Sequence, residues 1–131
     1  MVQARSVLVV DDDQRLTDCL ALFLRRQGFS VTTAKNGLHG YDNFFLSPSE
    51  WIITDIEMPQ LNGLEMVRLI RAIDTSPKVI YATASAETHW AQLDADARRF
   101  NAQILPKPFG LSKLIELLTD RPFRWSKSAS L

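Results

Sequence analysis

Short apolar segments recur along the chain, and four of them end at polar residues that are able to carry chemistry. The segments and the residues that follow them are 6–10 before Asp11, Asp12 and Asp13; 51–54 before Asp55; 79–82 before Thr83 and Ala84; and 102–105 before Pro106 and Lys107. Short segments of this composition are typical of strands that are buried on both faces. The pattern therefore predicts a parallel sheet that is covered by helices.

Amphipathic segments alternate with these strands and show the three- and four-residue spacing of a helix that packs on a sheet. Asp13 is predicted to cap the first helix, and Gly28 to end it. The pattern predicts strands at about 5–10, 29–34, 51–55, 79–83 and 102–105, and helices at about 14–27, 38–46, 64–73, 87–99 and 111–118. Consecutive strand–helix units of this kind form right-handed crossovers, so we expect an α/β fold with a doubly wound parallel sheet and helices on both faces.

Three side chains are expected to belong to the packed faces of these helices. Ile73 continues the apolar stripe of the third helix, and Trp90 lies on the same side of the fourth helix as Leu93. Trp90 is expected to pack in the core or to contribute to a partner surface. Cys19 borders the apolar stripe of the first helix, where we expect a small buried residue.

Composition limits the class of protein. A chain of 131 residues corresponds to one domain, and its 15 basic and 15 acidic residues leave no net charge, which argues against nucleic acid as a partner. The single cysteine excludes an internal disulfide. No signal peptide follows Met1 and no apolar segment has membrane-spanning length, so we expect no membrane association and a cytoplasmic location.

The residues that end the strands are expected to form one site. The carboxyl ends of parallel strands lie at one edge of a sheet, where ligands bind near the point of strand-order reversal. Asp11 and Asp12 should therefore flank Asp55, with the hydroxyl of Thr83 and the ammonium group of Lys107 nearby. Clustered carboxylates repel one another, and a hard divalent cation relieves that repulsion. The pattern predicts a site for a cation and a phosphoryl group, with Asp55 as the candidate nucleophile.

Four motifs in the same order resemble those of a known family. They are the aspartates at 11–13 after a valine-rich strand, Asp55 followed by Met58, Pro59 and Gly63, the pair Thr83 and Ala84, and the run Lys107, Pro108 and Phe109. The chain resembles the receiver domain of bacterial two-component response regulators (the CheY-like family) over residues of about 5–119. The resemblance implies a flavodoxin-like five-stranded sheet with strand order 2-1-3-4-5.

The resemblance also implies a role for each site residue. Asp55 would accept a phosphoryl group from a sensor histidine kinase or a phosphotransfer protein. Asp12, Asp55 and the backbone carbonyl of Glu57 would coordinate Mg²⁺ directly, and Asp11 would act through water. Lys107, joined to Pro108 by a cis peptide bond, would contact the phosphoryl oxygens, as would the hydroxyl of Thr83. Such a domain is not a turnover enzyme; at most it phosphorylates and dephosphorylates itself slowly.

Further implications of the resemblance concern domain limits and partners. Residues 1–119 would form the receiver domain, and 120–131, which include Phe123 and Trp125, a C-terminal tail or linker. A downstream effector protein or effector domain would read the phosphorylated state at a face made by the fourth helix, the fifth strand and the fifth helix. The same face could form a homodimer. His39 and His89 have no second ligand at metal spacing and are expected to be surface residues.

Two departures from the family pattern leave alternatives open. Ile104 stands where the family usually has Tyr or Phe, and the segment 98–101 lacks the usual Gly-Ala pair. The first alternative is a degenerate receiver that binds a partner without phosphorylation. The second is an aspartate-nucleophile phosphatase of the haloacid-dehalogenase type, which would require an aspartate at the position that Glu57 occupies.

Overall fold

A computed structural model describes residues 5–119, in which five strands alternate with five helices. The elements are β1 (Ser6–Val10), α1 (Gln14–Arg26), β2 (Ser30–Ala34), α2 (Gly37–Leu46), β3 (Trp51–Thr54), α3 (Gly63–Arg71), β4 (Lys78–Thr83), α4 (Trp90–Phe100), β5 (Gln103–Pro106) and α5 (Leu111–Leu118).

The strands form one parallel sheet in the order β2-β1-β3-β4-β5. The strand order reverses between β1 and β3, and this pair is in register from Val7 opposite Trp51 to Val10 opposite Thr54. Asp11 and Asp55 therefore leave the sheet side by side. The predicted fold class and strand order are both confirmed.

Helices cover both faces of the sheet, each over its own apolar core. One core is formed by β-strand residues such as Val9 and Ile53 with side chains of α1 and α5, including Leu24 and Leu114. The other contains the inward-facing residues of α2, α3 and α4: Phe44, Met66, Val67, Ile70 and Leu93. Burial of alternate strand residues in two separate cores explains why each strand appears in the sequence as an unbroken apolar segment.

Local signals set the helix boundaries. The side chain of Asp13 accepts hydrogen bonds from the backbone N–H groups of Arg15 and Leu16, as expected of an N-cap. After α1, Gly28 has a φ of 96°, a left-handed conformation that a side chain would strain. Asn62 and Glu65 form a reciprocal capping box at the start of α3.

Two expectations about packing are wrong, and of the two alternatives for Trp90 core packing is excluded. Cys19 is exposed, so its position beside the apolar stripe does not bury it. Ile73 lies beyond the end of α3 at Arg71 and is 55% exposed. The fourth helix begins later than predicted, at Trp90, whose side chain is 56% exposed whereas Leu93 is fully buried. In each case helical spacing alone does not reveal which part of the stripe meets the sheet.

The predicted tail at 120–131, with Phe123 and Trp125, lies outside the described residues. Within residues 5–119, no helix is long and apolar enough to cross a membrane.

Candidate functional site

Three aspartates meet where β1 and β3 end. Each of Asp11, Asp12 and Asp55 contributes one carboxylate oxygen to a cluster in which the three oxygens lie within 4.8 Å of one another. Asp11 is buried, Asp55 is partly buried and Asp12 is exposed. This arrangement follows from the pairing of β1 with β3, because the residues after Val10 and Thr54 occupy equivalent positions at the same sheet edge.

Lys107, which follows β5 at the same edge of the sheet, supplies positive charge to this cluster. Its Nζ donates to Asp11 Oδ2 at 2.7 Å and to Asp55 Oδ2 at 3.2 Å. The backbone N–H of Lys107 donates to the carbonyl of Thr83 at 2.9 Å, which continues the pairing of β5 with β4. The peptide bond between Lys107 and Pro108 is cis, as the resemblance implied. The ammonium group is thus aimed at the carboxylates rather than at solvent.

Burial and the charge of the partner shift the pKa of Asp11 in opposite directions, and the same is true of the pKa of Lys107. Burial raises the pKa of Asp11 above its ordinary value, although the hydrogen bond from Lys107 opposes that rise. For Lys107, burial works to lower the pKa, but the bonds and charges of Asp11 and Asp55 outweigh it and leave the pKa raised. Lys107 therefore carries its positive charge at neutral pH and partly neutralises a crowded acidic site.

The backbone holds Asp55 in a defined orientation. Its N–H donates to the Val10 carbonyl at 3.0 Å, and its Oδ1 accepts from the Ile56 N–H at 2.7 Å. The first residue of α3 packs tightly against its backbone, since a Cβ on Gly63 would lie 1.9 Å from the Asp55 carbonyl oxygen. Oδ1 is thus held by the backbone, while Oδ2 faces Lys107.

Thr83 is fully buried at the end of β4. Its Oγ1 lies 2.9 Å from the Ser85 hydroxyl and accepts from the Ser85 N–H at 3.0 Å. Ser85 was not predicted as a site residue. A polar residue two positions after the strand-end threonine is the signal that could have found it, because Ser and Thr hydroxyls commonly bond the backbone two residues away.

Glu57 and His89 connect two loops beside the site. The side chain of Glu57 is exposed and pairs with His89 Nε2 at 2.5 Å. His89 is not within a helix as predicted but immediately precedes α4. His39 is exposed, and its N–H donates to Asn36, the residue that caps α2. The contact between Glu57 and His89 was not predictable, because it joins loops that are far apart in sequence.

A second polar group, formed by Arg71, Tyr81 and Asp96, connects α3, β4 and α4. Asp96 Oδ2 accepts from the Tyr81 hydroxyl at 2.8 Å, and Asp96 Oδ1 lies 3.3 Å from Arg71 Nε. The pair between Arg71 and Asp96 is an ion pair without ideal hydrogen-bond geometry at Nε. Burial, followed by the negative charge of Asp96, raises the pKa of Tyr81. Ile104 of β5, at the position where the family usually has Tyr or Phe, lies opposite Tyr81 of β4. An aromatic ring is therefore present on the neighbouring strand.

The donor set of the three-aspartate cluster fits a magnesium ion. Carboxylate oxygens are the ligands that Mg²⁺ prefers, and the exposed Asp12 leaves the cluster accessible from solvent. The cluster brings three carboxyl groups together and Lys107 provides one ammonium group, so Lys107 alone does not balance their charge. A divalent cation at this position would supply the remaining positive charge.

Comparison with known proteins agrees with this geometry. Residues 7–119 match the family model of the response regulator receiver domain. The response regulator receiver protein CpdR of Brucella abortus is 32% identical over 111 residues, which cover 85% of this chain and 91% of CpdR. The response regulator MprA of a Mycobacterium species is 34% identical over 111 residues, covering 83% of this chain and 46% of MprA. The chain thus spans nearly all of one relative and less than half of the other.

Solved structures of two proteins are also similar to this chain. The N-terminal domain of an uncharacterized protein from Wolinella succinogenes superposes with a TM-score of 0.79 at 33% identity, covering 89% of this chain and 93% of that domain. The response regulator TrrA of Thermotoga maritima, solved in complex with Mg²⁺ and BeF, gives a TM-score of 0.77 at 30% identity, covering 88% of this chain and 97% of TrrA. On the sequence match, the strand order and the shared structure, the chain belongs to the response regulator receiver domain family of two-component systems.

Proposed function

We propose that this chain is a Mg²⁺-dependent phosphoacceptor that takes a phosphoryl group on Asp55 from a sensor histidine kinase or a phosphotransfer protein. The observation that carries the proposal is the placement of Lys107 Nζ on both Asp11 and Asp55, beside three clustered carboxylates. A phosphoryl donor is anionic, so it approaches Asp55 only where positive charge offsets the carboxylates. Family membership and the Mg²⁺–BeF complex of TrrA support this assignment.

In the proposed reaction, a carboxylate oxygen of Asp55 attacks the phosphorus atom. An O–P bond forms as the bond between phosphorus and the donor's histidine nitrogen breaks, and that nitrogen keeps the electron pair. Lys107 would move its contact from the carboxylates to the phosphoryl oxygens. The hydroxyl of Thr83, which now lies against Ser85, would donate to another phosphoryl oxygen. Hydrolysis of the acyl phosphate by water would reset the domain.

We assign the metal ligands within the same proposal. Asp12 and Asp55 would bind Mg²⁺ through their carboxylates and Glu57 through its backbone carbonyl, with Asp11 acting through a bound water. The ion would supply charge neutralisation for the incoming phosphoryl group. The carboxylate oxygens of Asp11, Asp12 and Asp55, which lie within 4.8 Å of one another, support the carboxylate part of this ligand set, and family membership supports the Glu57 carbonyl.

Incubation with acetyl phosphate or phosphoramidate, followed by intact-mass measurement, tests the proposal. One added phosphoryl group is expected with Mg²⁺ and none when EDTA removes the metal. Equal labelling with and without EDTA would contradict the proposed metal requirement.

Replacing Lys107 by alanine is expected to slow labelling by at least about tenfold while Mg²⁺ binding persists, because an ammonium group stabilises the phosphoryl oxygens but repels the cation. Labelling is measured by intact mass, and Mg²⁺ binding by calorimetric titration. Lys113→Ala is the matched control, since Lys113 is an exposed lysine of α5 whose contact is a surface pair with Glu116. A large loss of Mg²⁺ affinity in Lys107→Ala alone would show that Lys107 is misplaced in the proposal.

We also propose that residues 1–119 act as the receiver unit and signal through the face formed by α4, β5 and α5, to an effector protein or domain or to a second copy of the chain. Thr83 and Lys107 lie at the sheet edge beside this face, and their backbones are joined by a hydrogen bond. If both side chains move toward a phosphoryl group, they gain contacts that the unphosphorylated domain lacks. Those contacts would favour a second conformation of the domain.

Hydrogen exchange with and without beryllofluoride, a mimic of the phosphoryl group, checks this output face. Protection is expected to change within residues 84–110 as well as around Asp55, and the Asp55→Asn variant should show neither change. If changes remain confined to 11–13 and 55–59, the proposed face is wrong. That result would favour a degenerate receiver that binds its partner independently of phosphorylation, an alternative supported by Ile104 at the usual aromatic position.

A further inference from the structure

A groove of about 440 Å³ lies between α3 and α4. Its lining includes Leu64, Arg68, Arg71, Tyr81, Asp96 and Phe100. The groove lies outside the phosphoacceptor chemistry proposed above, because none of the candidate site residues lines it. We call it the α3–α4 groove.

The lining of the α3–α4 groove carries more positive than negative charge. Arg68, Arg71 and Arg99 contribute three positive charges to its lining, and Asp96 contributes one negative charge that is already paired with Arg71. Within residues 5–119, Arg68 and Arg99 form no ion pair with a carboxylate. The whole chain has no net charge, so this local positive excess is a feature of the groove rather than of the composition. An anionic occupant would complement it.

The groove also offers an apolar surface beside these charges. The guanidinium carbon of Arg71 lies 4.1 Å from the centroid of the Phe100 ring, and that of Arg99 lies 5.1 Å from the same centroid. Both guanidinium groups are thus close enough to the ring for a cation–π contact, which favours keeping both side chains at the groove. Leu64 and Tyr81 are buried in the lining. The occupant should therefore combine negative charge with an apolar side chain.

The exposure of the lining decides between a small molecule and a segment of protein. Arg68, Ala72, Gln92, Ala95 and Arg99, half of the ten lining residues, are exposed. Small-molecule sites usually enclose most of the ligand surface, which a groove with so exposed a rim does not do. An elongated segment that lies along the two helices needs no such enclosure and can contact both Arg68 and Arg99, the lining arginines without a carboxylate partner in the described part of the chain.

We propose that the α3–α4 groove docks an acidic segment of a partner protein. Carboxylates of that segment pair with Arg68 and Arg99, and one apolar side chain packs beside Phe100. Exposed charge pairs contribute little individually, so the complex is weak, transient and sensitive to salt. The docking does not require phosphorylation of Asp55, and the Asp55→Asn variant is expected to bind the segment equally well.

The probe for this proposal is a synthetic peptide of glutamate and serine with one central leucine, labelled with fluorescein. Saturable binding is followed by fluorescence anisotropy, and amide chemical shifts of the unphosphorylated full chain locate the site. Shifts are expected at Ala72, Gln92 and Ala95, and binding should weaken as salt is added. Replacing the central leucine by serine should weaken binding, and replacing the glutamates by lysine should abolish it.

Paired variants separate docking in the groove from general attraction between opposite charges. The variant carrying Arg68→Gln and Arg99→Gln is expected to bind the probe roughly tenfold more weakly, the loss expected for two exposed charge pairs. The control carries Arg15→Gln and Arg26→Gln, which remove the same charge from exposed positions on α1. Thermal unfolding of both variants verifies that they fold.

Three outcomes would overturn the proposal: no saturable binding by the wild-type chain, equal losses in the two paired variants, or chemical shifts that lie away from the groove. Saturation of the groove by inorganic phosphate or ATP without binding of the peptide would also overturn it in favour of a small anion. The shift map of the wild-type chain decides the location even if a variant is destabilised. If acetyl phosphate fails to label the wild-type chain, the phosphoacceptor proposal is contradicted, but the proposal that the groove docks an acidic segment is not affected.

Discussion

The Asp55→Asn variant is expected to gain no phosphoryl group from acetyl phosphate or phosphoramidate, under conditions in which the parent chain gains one. Asparagine preserves the size of the side chain and can still accept the hydrogen bond from the Ile56 N–H, but its amide cannot form an acyl phosphate. It also removes one of the two carboxylates that Lys107 contacts. Intact-mass measurement after incubation with Mg²⁺ gives the result directly.

Asp13→Asn is the matched control for this substitution. Asp13 is the adjacent aspartate at the same sheet edge, but its carboxylate caps α1, and asparagine caps a helix about as well as aspartate. Labelling of Asp13→Asn is therefore expected to equal that of the parent chain. Labelling that persists in Asp55→Asn, or that is lost equally in both variants, would refute the assignment of Asp55 as the acceptor.

The Asp96→Ala variant is expected to lower the free energy of unfolding by about 3 kcal/mol, the lower end of the range for breaking a buried ion pair. The side chain of Arg71 is only 5% exposed, so the loss of Asp96 leaves a cation buried without its counter-charge. The Tyr81 hydroxyl loses its acceptor as well. Urea unfolding of both proteins measures the difference, provided that the dependence of the free energy on urea concentration is unchanged.

Asp94→Ala provides the comparison on the same helix. Asp94 pairs with Arg98, whose side chain is 81% exposed, so its removal should change the free energy of unfolding by less than about 0.5 kcal/mol. Combining Asp96→Ala with Arg71→Leu should restore part of the stability, because the unpaired cation is then absent. Equal effects of Asp96→Ala and Asp94→Ala would show that the pair between Arg71 and Asp96 contributes little to holding α4 in place.

The element order and the convergence of the acidic residues were predictable because they depend on local patterns. Valine- and isoleucine-rich segments indicate strands buried on both faces, and alternation with amphipathic helices indicates a parallel sheet. Once the strands are parallel, their carboxyl ends share an edge, which brings Asp11 and Asp55 together without any knowledge of side-chain packing. The motif around Lys107 placed its ammonium group at the same edge, although 96 residues separate it from Asp11.

Helical spacing was a less reliable guide to burial. Cys19 and Trp90 both occupy positions near an apolar stripe, and both are exposed. A stripe defines a direction around the helix axis, but the width of the buried part depends on how the helix is rotated and where it ends. Those two quantities are set by packing against the sheet, which the spacing of residues does not encode.

The amino-acid sequence by itself determined the order of elements, the α/β class and the residues gathered at the carboxyl edge of the sheet. The tertiary structure alone decided the contact of His89 with Glu57 and the joining of Arg71, Tyr81 and Asp96 between α3, β4 and α4. The physical reason is that strand direction and helical period arise from neighbouring residues. An ion pair between two helices depends instead on their relative placement to within an ångström or so, which only the packed core defines.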